Sequence, residues 1–489
     1  MSTLEPTTTR TSSNPAVPPD REPEKISKAA WMVALITIGA SVMDLLDATV
    51  TNIAGPSIQR SFHASSASLQ WMIAAYTLTF SVMLIAGGRL GDVFGRRKVF
   101  VIGLAGFTAS SLLCAAALSA GMLIGSRVIQ GGFAAMMIPQ GLGMIRAVFP
   151  RDQVGKAFTM MGPVMGMSAM LGPIIGGLLV DDLGWRSIFL VNLPVGLLAL
   201  LGAVMYLPRD EQKTSTAPKL DVVGLILAST ILFLLTYPIV QGREADWAPW
   251  TWIMMGSSLL ALGVFVLHQL IRLRTGRDPF VELTILRKRA FNAGLIVTLL
   301  FNAGFVGTSV IGTLLLQISL GFSPLHAGLT QLWFVLGTMI SMGVAQKFAQ
   351  THPRRVLQAG LSVMAIGMAA SALTVQHFGA DLSSWTIAPS LVIGGFGVGL
   401  CFAPIFGVIL AAVDDHEIGS ASGLVNSFNQ FGGGIGVAVL GTLFFDQAAH
   451  HGTFHAAQTT YWIAGTALFA TFAAAFLVPK IARPENELY

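Results

Sequence analysis

The chain is 489 residues long, 53% hydrophobic and only 11% charged, with a formal net charge of +5 and a mean hydropathy of +0.70. This composition excludes a water-soluble globular protein and describes a polytopic membrane protein, whose partner is the lipid bilayer and not nucleic acid. Cys114 and Cys401 both lie in apolar runs and give neither a disulfide framework nor a metal-binding spacing, so no metal and no cofactor is expected.

Residues 1–26 are polar, rich in Ser, Thr and Pro and without an apolar stretch, and read as a disordered cytoplasmic tail and not a signal peptide. Crossing the hydrocarbon takes about 20 apolar residues. Fourteen runs of that kind follow, starting near Ala30, Ser68, Val99, Gly121, Ala157, Ser187 and Asp221, then near Pro249, Ala290, Leu325, Arg355, Ser384, Gly419 and Ala456. An even number puts both termini on one side. Of the 29 Lys and Arg residues, 25 fall on the side of the tails and only Arg60, Arg186 and Arg243 on the other, which predicts cytoplasmic termini.

The first span contains Asp44-Leu-Leu-Asp47-Ala-Thr-Val-Thr-Asn-Ile-Ala-Gly-Pro56, with two carboxylates three residues apart on one helix face. A charge at the bilayer centre costs roughly 2.5 to 3.5 kcal/mol even on mild scales, so such residues mark ion or substrate pathways. The remaining basic residue, Arg127, lies inside the fourth span. At 1.5 Å per residue Asp47 and Arg127 both sit roughly 10 Å below the outer end of their spans, at one level. A pair that only fixes helix packing is the plain alternative. A coupling role is favoured, because a buried acid with a detachable partner can change its protonation state. With all three groups ionised the site carries a net charge of −1. Asp44, one turn deeper and without a matched basic partner, is expected to be protonated at rest, and Asp47 ionised.

The chain repeats itself. Gly131-Gly132-Phe133 returns as Gly394-Gly395-Phe396, and Gly155-Lys-Ala157 as Gly419-Ser-Ala421, an offset of about 263 residues. Six spans occupy fewer residues than that, so the seventh and eighth spans are an insertion. The expected organisation is a six-helix bundle over 27–207, a linker with two extra spans over 208–290, a second six-helix bundle over 291–479 and a cytoplasmic tail over 480–489. In the second bundle the positions matching Asp44 and Asp47 fall near Gly304 and Gly307, so that half has no matching acid.

Several motifs together point to a family. Gly87-Gly-Arg-Leu-Gly-Asp-Val-Phe-Gly-Arg-Arg-Lys98, read as the loop between the second and third spans, resembles the signature loop of the major facilitator superfamily. Gly162-Pro163 followed by Gly172-Pro173-Ile-Ile-Gly176-Gly177 resembles the antiporter motif of its drug-exporting branches. The stretches Leu46 to Pro56, Gly184 to Gly196 and Leu316 to Gly328 resemble its fourteen-helix drug:proton antiporter branch. The resemblance implies an all-α major facilitator fold of two six-helix repeats plus two inserted helices. It also implies that the fifth-span glycines seal the pore against the opposite half, with static packing the plain alternative. On physical grounds, Gly87, Gly91 and Gly95 permit a tight return, Asp92 can cap the third helix or meet Arg96 or Arg97, and small-xxx-small spacing permits close helix approach.

Gln130, Asn302, Phe305, Asn426, Asn429 and Gln430 are candidates to line the cavity, with helix-to-helix hydrogen bonding an equal explanation for the amides. His450, His451 and His455 read as a solvated loop in preference to a metal site, and Asp278 to Leu286 as an amphipathic piece on the inner surface. The expected function is proton-coupled antiport, with the protein acting as a monomer that exports small lipophilic compounds, drugs or antibiotics, across the cytoplasmic membrane. Transport of an endogenous metabolite is the alternative. An ATP-driven pump would need a Gly-x-x-x-x-Gly-Lys-Ser/Thr loop, which the chain lacks. An intramembrane enzyme would need clustered catalytic groups, and beyond Asp44 and Asp47 the spans are nearly free of them.

Overall fold

The computed structural model describes residues 27–149, 168, 171–208, 221–277, 279–281, 285–349, 351–414 and 418–479, and among these residues there are helices and no strand. The first six are α1 (Lys28–Phe62), α2 (Ser66–Phe94), α3 (Arg96–Ala115), α4 (Ala120–Val148), α5 (171–183) and α6 (Asn192–Tyr206, entered through the turn Ser187–Leu190). The hairpin α7 (Val222–Gln241) and α8 (Pro249–Arg274) follows. The last six are α9 (Arg289–Leu314, prolonged by a π turn to Ser319), α10 (Pro324–Ala349), α11 (Pro353–Phe378), α12 (Ser384–Leu410), α13 (Ile418–His451) and α14 (Thr453–Ala474). Among the described residues thirteen are long and apolar enough to cross a membrane; the predicted start of the fifth span, near Ala157, lies outside the described residues.

In hydrocarbon every backbone N–H must find an acceptor within the chain. Helix starts therefore carry polar caps: the Ser27 hydroxyl accepts from Ala30 N at 3.0 Å, Ser119 from Met122 N at 3.2 Å, and Ser383 with Thr386 closes a capping box.

Packing repeats as the sequence does. In the first set α2 and α3 lie against α4, and α3 and α1 against α6; in the second α10 and α11 lie against α12, and α11 and α9 against α14. Glycines set these approaches. A Cβ on Gly131 would lie 2.5 Å from the Tyr76 carbonyl oxygen of α2, and one on Gly395 would collide with the Phe334 carbonyl of α10.

The face where α1 begins is marked by Trp31 packing edge-on against Phe149 at the end of α4, with ring centroids 5.4 Å apart. The chain end reaches the corresponding place in the second set, where Arg354 donates to the Phe476 carbonyl at 3.1 Å. At the far face the two sets are closed against each other. Gln317 donates from the π turn of α9 to the Ile53 carbonyl of α1 at 2.8 Å, and Leu325 N of α10 donates to Asp181 of α5 at 3.1 Å. A Cβ on Gly177 would lie 2.5 Å from Leu325 Cα. Beside this seam the α7–α8 hairpin grips both sets. Arg243 donates to the Ser66 hydroxyl of α2 and, at 3.3 Å, to the Phe445 carbonyl of α13, while Glu244 accepts from Ala67 N at 3.1 Å. Thr442 of α13 donates within 3.1 Å of both Gln70 of α2 and the Ile239 carbonyl of α7.

Near the termini the hairpin is held by Asp221, which caps α7 at Gly224 N (2.9 Å) and meets His268 (3.0 Å), Gln269 (3.1 Å) and Arg272 (3.4 Å) of α8. Burial raises the Asp221 carboxyl, but its hydrogen bonds from His268, Gly224 and Gln269 and the Arg272 charge outweigh burial and hold it below the usual carboxylate range. Gln269 also accepts from Phe280 N at 2.6 Å, and Phe280 and Ile285 are buried in the protein. Of the amphipathic piece expected on the inner surface over Asp278 to Leu286, the described residues hold a 3-10 turn, Ile285–Arg287, and its apolar Phe280 and Ile285 pack into the protein.

One further expectation is corrected. The stretch from Gly87 to Phe94 is not a loop but the last turns of α2, and the return to α3 is Gly95 alone, at φ +96°. Gly87 and Gly91 serve helix approach and not the turn. A Cβ on either would strike α4, at the Ala135 carbonyl or the Gln140 amide, and Gln140 donates to the Gly87 carbonyl at 2.7 Å.

Candidate functional site

Asp47 and Arg127 form an ion pair in the interior of the first six helices, 2% and 1% exposed respectively. The arginine spends one donor on the Asp47 Oδ2 and also reaches Gln130 Oε1 at 2.8 Å. The other carboxylate oxygen, Oδ1, accepts from Gln130 Nε2 at 3.0 Å and from Asn192 Nδ2 at 2.8 Å. Both amides also donate to the Ser111 hydroxyl, at 3.0 and 2.9 Å. Four helices, α1, α3, α4 and α6, thus meet in one polar knot.

Asp44 has its own partner. The Tyr76 hydroxyl of α2 donates to Asp44 Oδ1, and the guanidinium of Arg127 lies 4.3 Å from the centroid of the same Tyr76 ring. Tyr76 is fully buried, so one side chain touches both the outlying acid and the cation of the pair. The local sequence builds this arrangement simply. Asp44 and Asp47 share a face of α1, and Arg127 and Gln130 share a face of α4. Tyr76 N-terminal to Phe80 stands where Gly131 lets α2 and α4 close.

The other candidates distribute differently. Gly172 and Gly176 turn toward α1, where a Cβ would press on Thr49 and Val50, so of the described stripe only Gly177 and Pro173 touch α10. Gly162 and Pro163 lie outside the described residues, as does the side chain of Asp92. Arg97 donates to the Val204 carbonyl of α6 at 2.7 Å, and Arg96 lies where a Cβ on Gly143 would meet it. Asn302 is buried at the α9–α13 seam and Asn426 is half-buried; each donates to a carbonyl one turn back in its own helix. Asn429 and Gln430 are half-buried, and Phe305 lies in an aromatic group with Phe301, Phe334 and Phe402 at centroid distances of 5.7 to 6.3 Å. The three histidines around 450–455 lie at the turn between α13 and α14, and no metal-holding cluster occurs among the described residues.

Asn192, Ser111 and Tyr76 escaped the sequence reading. Asn192 stood inside the stretch Gly184 to Gly196 and was legible as an amide in an apolar span. Ser111 and Tyr76 carry no spacing signal, since Ser and Tyr are ordinary in membrane helices.

A helical bundle built from two like halves, with a buried charge pair in one of them, has the layout of a polytopic membrane transporter. The model of the Major Facilitator Superfamily matches residues 37–437 and, in a second match, 294–488. The chain belongs to that superfamily, in its drug-efflux branch, and is a multi-pass cell-membrane protein. It is 44% identical to a "Probable actinorhodin transporter" of Streptomyces coelicolor, over 85% of this chain and 72% of that one. It is 36% identical to a puromycin resistance protein of Streptomyces alboniger (92% and 88% covered) and 32% identical to a tetracenomycin C resistance and export protein of Streptomyces glaucescens (84% and 76%). In fold it is similar to a D-xylose-proton symporter, with a TM-score of 0.62 at 14% identity, covering 94% of this chain and 99% of that one. A POT family transporter superposes with a TM-score of 0.66 at 15% identity, over 90% and 94%.

Proposed function

We propose that the protein is a proton-coupled antiporter that exports small lipophilic compounds, antibiotics among them, from the cytoplasm. The observation that carries this reading is the Asp47–Arg127 pair: a carboxylate sealed from water, held by two amides and one guanidinium, on the helix that also borders the seam between the halves. Names of the relatives, which speak of actinorhodin, puromycin and tetracenomycin C, support the class of cargo.

The divisions at 27–207 and 291–479 are the two rocking bodies, and the face bearing the termini is cytoplasmic by its excess of Lys and Arg. With the far face open, Asp47 takes a proton from outside and releases Arg127. Rocking to the inward-facing form lets the proton leave, and the carboxylate either recovers Arg127 or meets a cationic cargo. Proton and cargo thus compete for one state, as exchange requires. A single chain supplies both halves of the path, so the monomer is the transporting unit.

The test is uptake of ethidium and of puromycin into inside-out vesicles, with and without an imposed proton gradient. Gradient-driven uptake that collapses with a protonophore is expected. Uptake that needs ATP and ignores the gradient overturns the reading.

A further inference from the structure

The second set of helices holds a pocket of about 30 Å³ between α9, α10, α11, α12 and α14, enough for one water-sized group. It occupies the place that the charge pair fills in the first set. On the 263-residue offset Arg127 falls at Ser390, and on the match of Gly131 with Gly395 at Leu391; both line the pocket. Gly196 of α6 packs on Thr108 of α3, and Gly465 of α14 packs on Ala365 and Met368 of α11, so the level of Ser111 falls between Met368 and Ser371 and that of Asn192 at Tyr461. Ser371 and Tyr461 both line the pocket, and Thr308 lies beside the position matching Asp47.

The chemistry differs from that of the first set. Tyr461 and Ser371 are 2% and 1% exposed, and neither hydroxyl has a hydrogen-bond partner among the described residues. Gln331 uses its amide nitrogen on Thr313 at 2.7 Å, and its carbonyl oxygen has no such partner. These oxygens are not sealed from open space, so a polar group that enters the pocket can pair with them there. No charged side chain lines it. Ser309, Gln331 and Phe334 are partly exposed, so the pocket opens on one side, and there the Phe334 ring stacks on Phe305 with centroids 6.0 Å apart.

We propose that this pocket is a second recognition subsite, in which a neutral oxygen substituent of the cargo, a hydroxyl or carbonyl on an aromatic ring, is held by Tyr461, Ser371 and Gln331 while the ring lies against Phe305 and Phe334. The proposal rests on the exporter reading and gives it a cargo class: aromatic compounds carrying an uncharged oxygen. The first set then handles charge, and the second handles a neutral polar group.

The test is equilibrium binding of pyrene and 1-hydroxypyrene to the purified full-length protein in detergent, followed by probe fluorescence. A hydrogen bond to an otherwise unpaired site makes 1-hydroxypyrene bind about tenfold more tightly than pyrene, against its greater solubility in water. In the Tyr461→Phe/Ser371→Ala protein the ratio falls to near one while pyrene affinity stays unchanged. Gln331→Leu reduces the ratio severalfold and serves if the double variant does not fold. No preference in the wild type, no binding of either probe, or a preference that survives the variants overturns the subsite. Gradient-driven uptake of ethidium is a separate measurement and decides the exporter reading on its own.

Discussion

The two six-helix sets share one packing scheme and differ in what fills their interiors. In the first, Asp47, Arg127, Gln130, Asn192 and Ser111 bond to one another, with Arg127 Nε left over. In the second, the matching place holds Ser371, Ser390, Tyr461 and Thr308 around a pocket. The backbone tolerates both because glycine contacts, not the polar residues, bring the helices together: Gly131 against Tyr76 and Gly395 against Phe334 do the same work in each set. The fold is thus indifferent to which half carries charge, and a response to protons can be confined to one of them.

Removing the charge is the strongest way to break this asymmetry. Arg127→Ala leaves a carboxylate buried without its cation, a loss of roughly 3–5 kcal/mol. We expect a lower unfolding midpoint in detergent and no gradient-driven uptake. Asp47→Asn with Arg127→Gln removes both charges and should recover most of the midpoint but none of the uptake. If the double variant transports, the pair is packing alone.

How much of this was legible in the sequence depends on whether a residue type is costly where it stands. Asp47 and Arg127 are unfavourable in lipid, so counting residues from the span ends was enough to match their levels. Gln130 reads as a cavity or helix-to-helix residue, and only the structure places it, buried, on the charge pair. Tyr76 and Ser111 are cheap in a membrane helix and became visible only when three dimensions put them against charge. The stretch Gly87 to Phe94 was misread because glycines suggested a turn, when their function is to admit α4 to the face of α2. Pairing between the halves, such as Gln317 with Ile53, depends on tertiary approach and leaves no local pattern.

A second way to break the comparison is to keep the halves from meeting. A side chain at Gly177 has no room beside Leu325, whereas one at Gly176 meets Val50 of its own half. Gly177→Leu should abolish coupled uptake with membrane insertion intact, and Gly176→Ala should cost no more than a few-fold in rate. Equal effects would mean that the whole stripe is packing.

The inserted hairpin belongs to neither half, yet Arg243 holds α2 and α13 together at the far face. Arg243→Ala should widen the distance distribution between spin labels at Ser65 and His451 and lower uptake several-fold. An unchanged distribution would show that α2 and α13 need no clasp. At the other end, the lowered Asp221 carboxyl has a definite sign: its stabilisation is complete above the ordinary carboxylate pKa of about 3.9 and is lost as pH falls through the folded value. Asp221→Asn should speed hydrogen exchange in the first turns of α7 at neutral pH, and the difference from wild type should shrink on acidification below about pH 4. A difference that persists there would place the effect in packing and not in charge.

The smallest expected effect separates the two acids within the charged half. Asp44 faces the Tyr76 hydroxyl instead of a cation, so Asp44→Asn keeps a polar group of the same shape opposite the phenol. Neutral cargo should still be exported, while ethidium, which needs a negative partner, should be exported less well. Tyr76→Phe keeps the ring under the Arg127 guanidinium and removes only the hydroxyl, so it should leave the Asp47 pair in place and resemble Asp44→Asn. Tyr76→Leu removes the ring as well and should move toward the Arg127→Ala phenotype. Gradient-driven uptake of puromycin and of an uncharged dye, compared across these variants with Asp47→Asn, decides the matter: full export of the uncharged dye by Asp47→Asn would transfer the proton to Asp44, and Tyr76 would then be its direct hydrogen-bond partner in the coupling step.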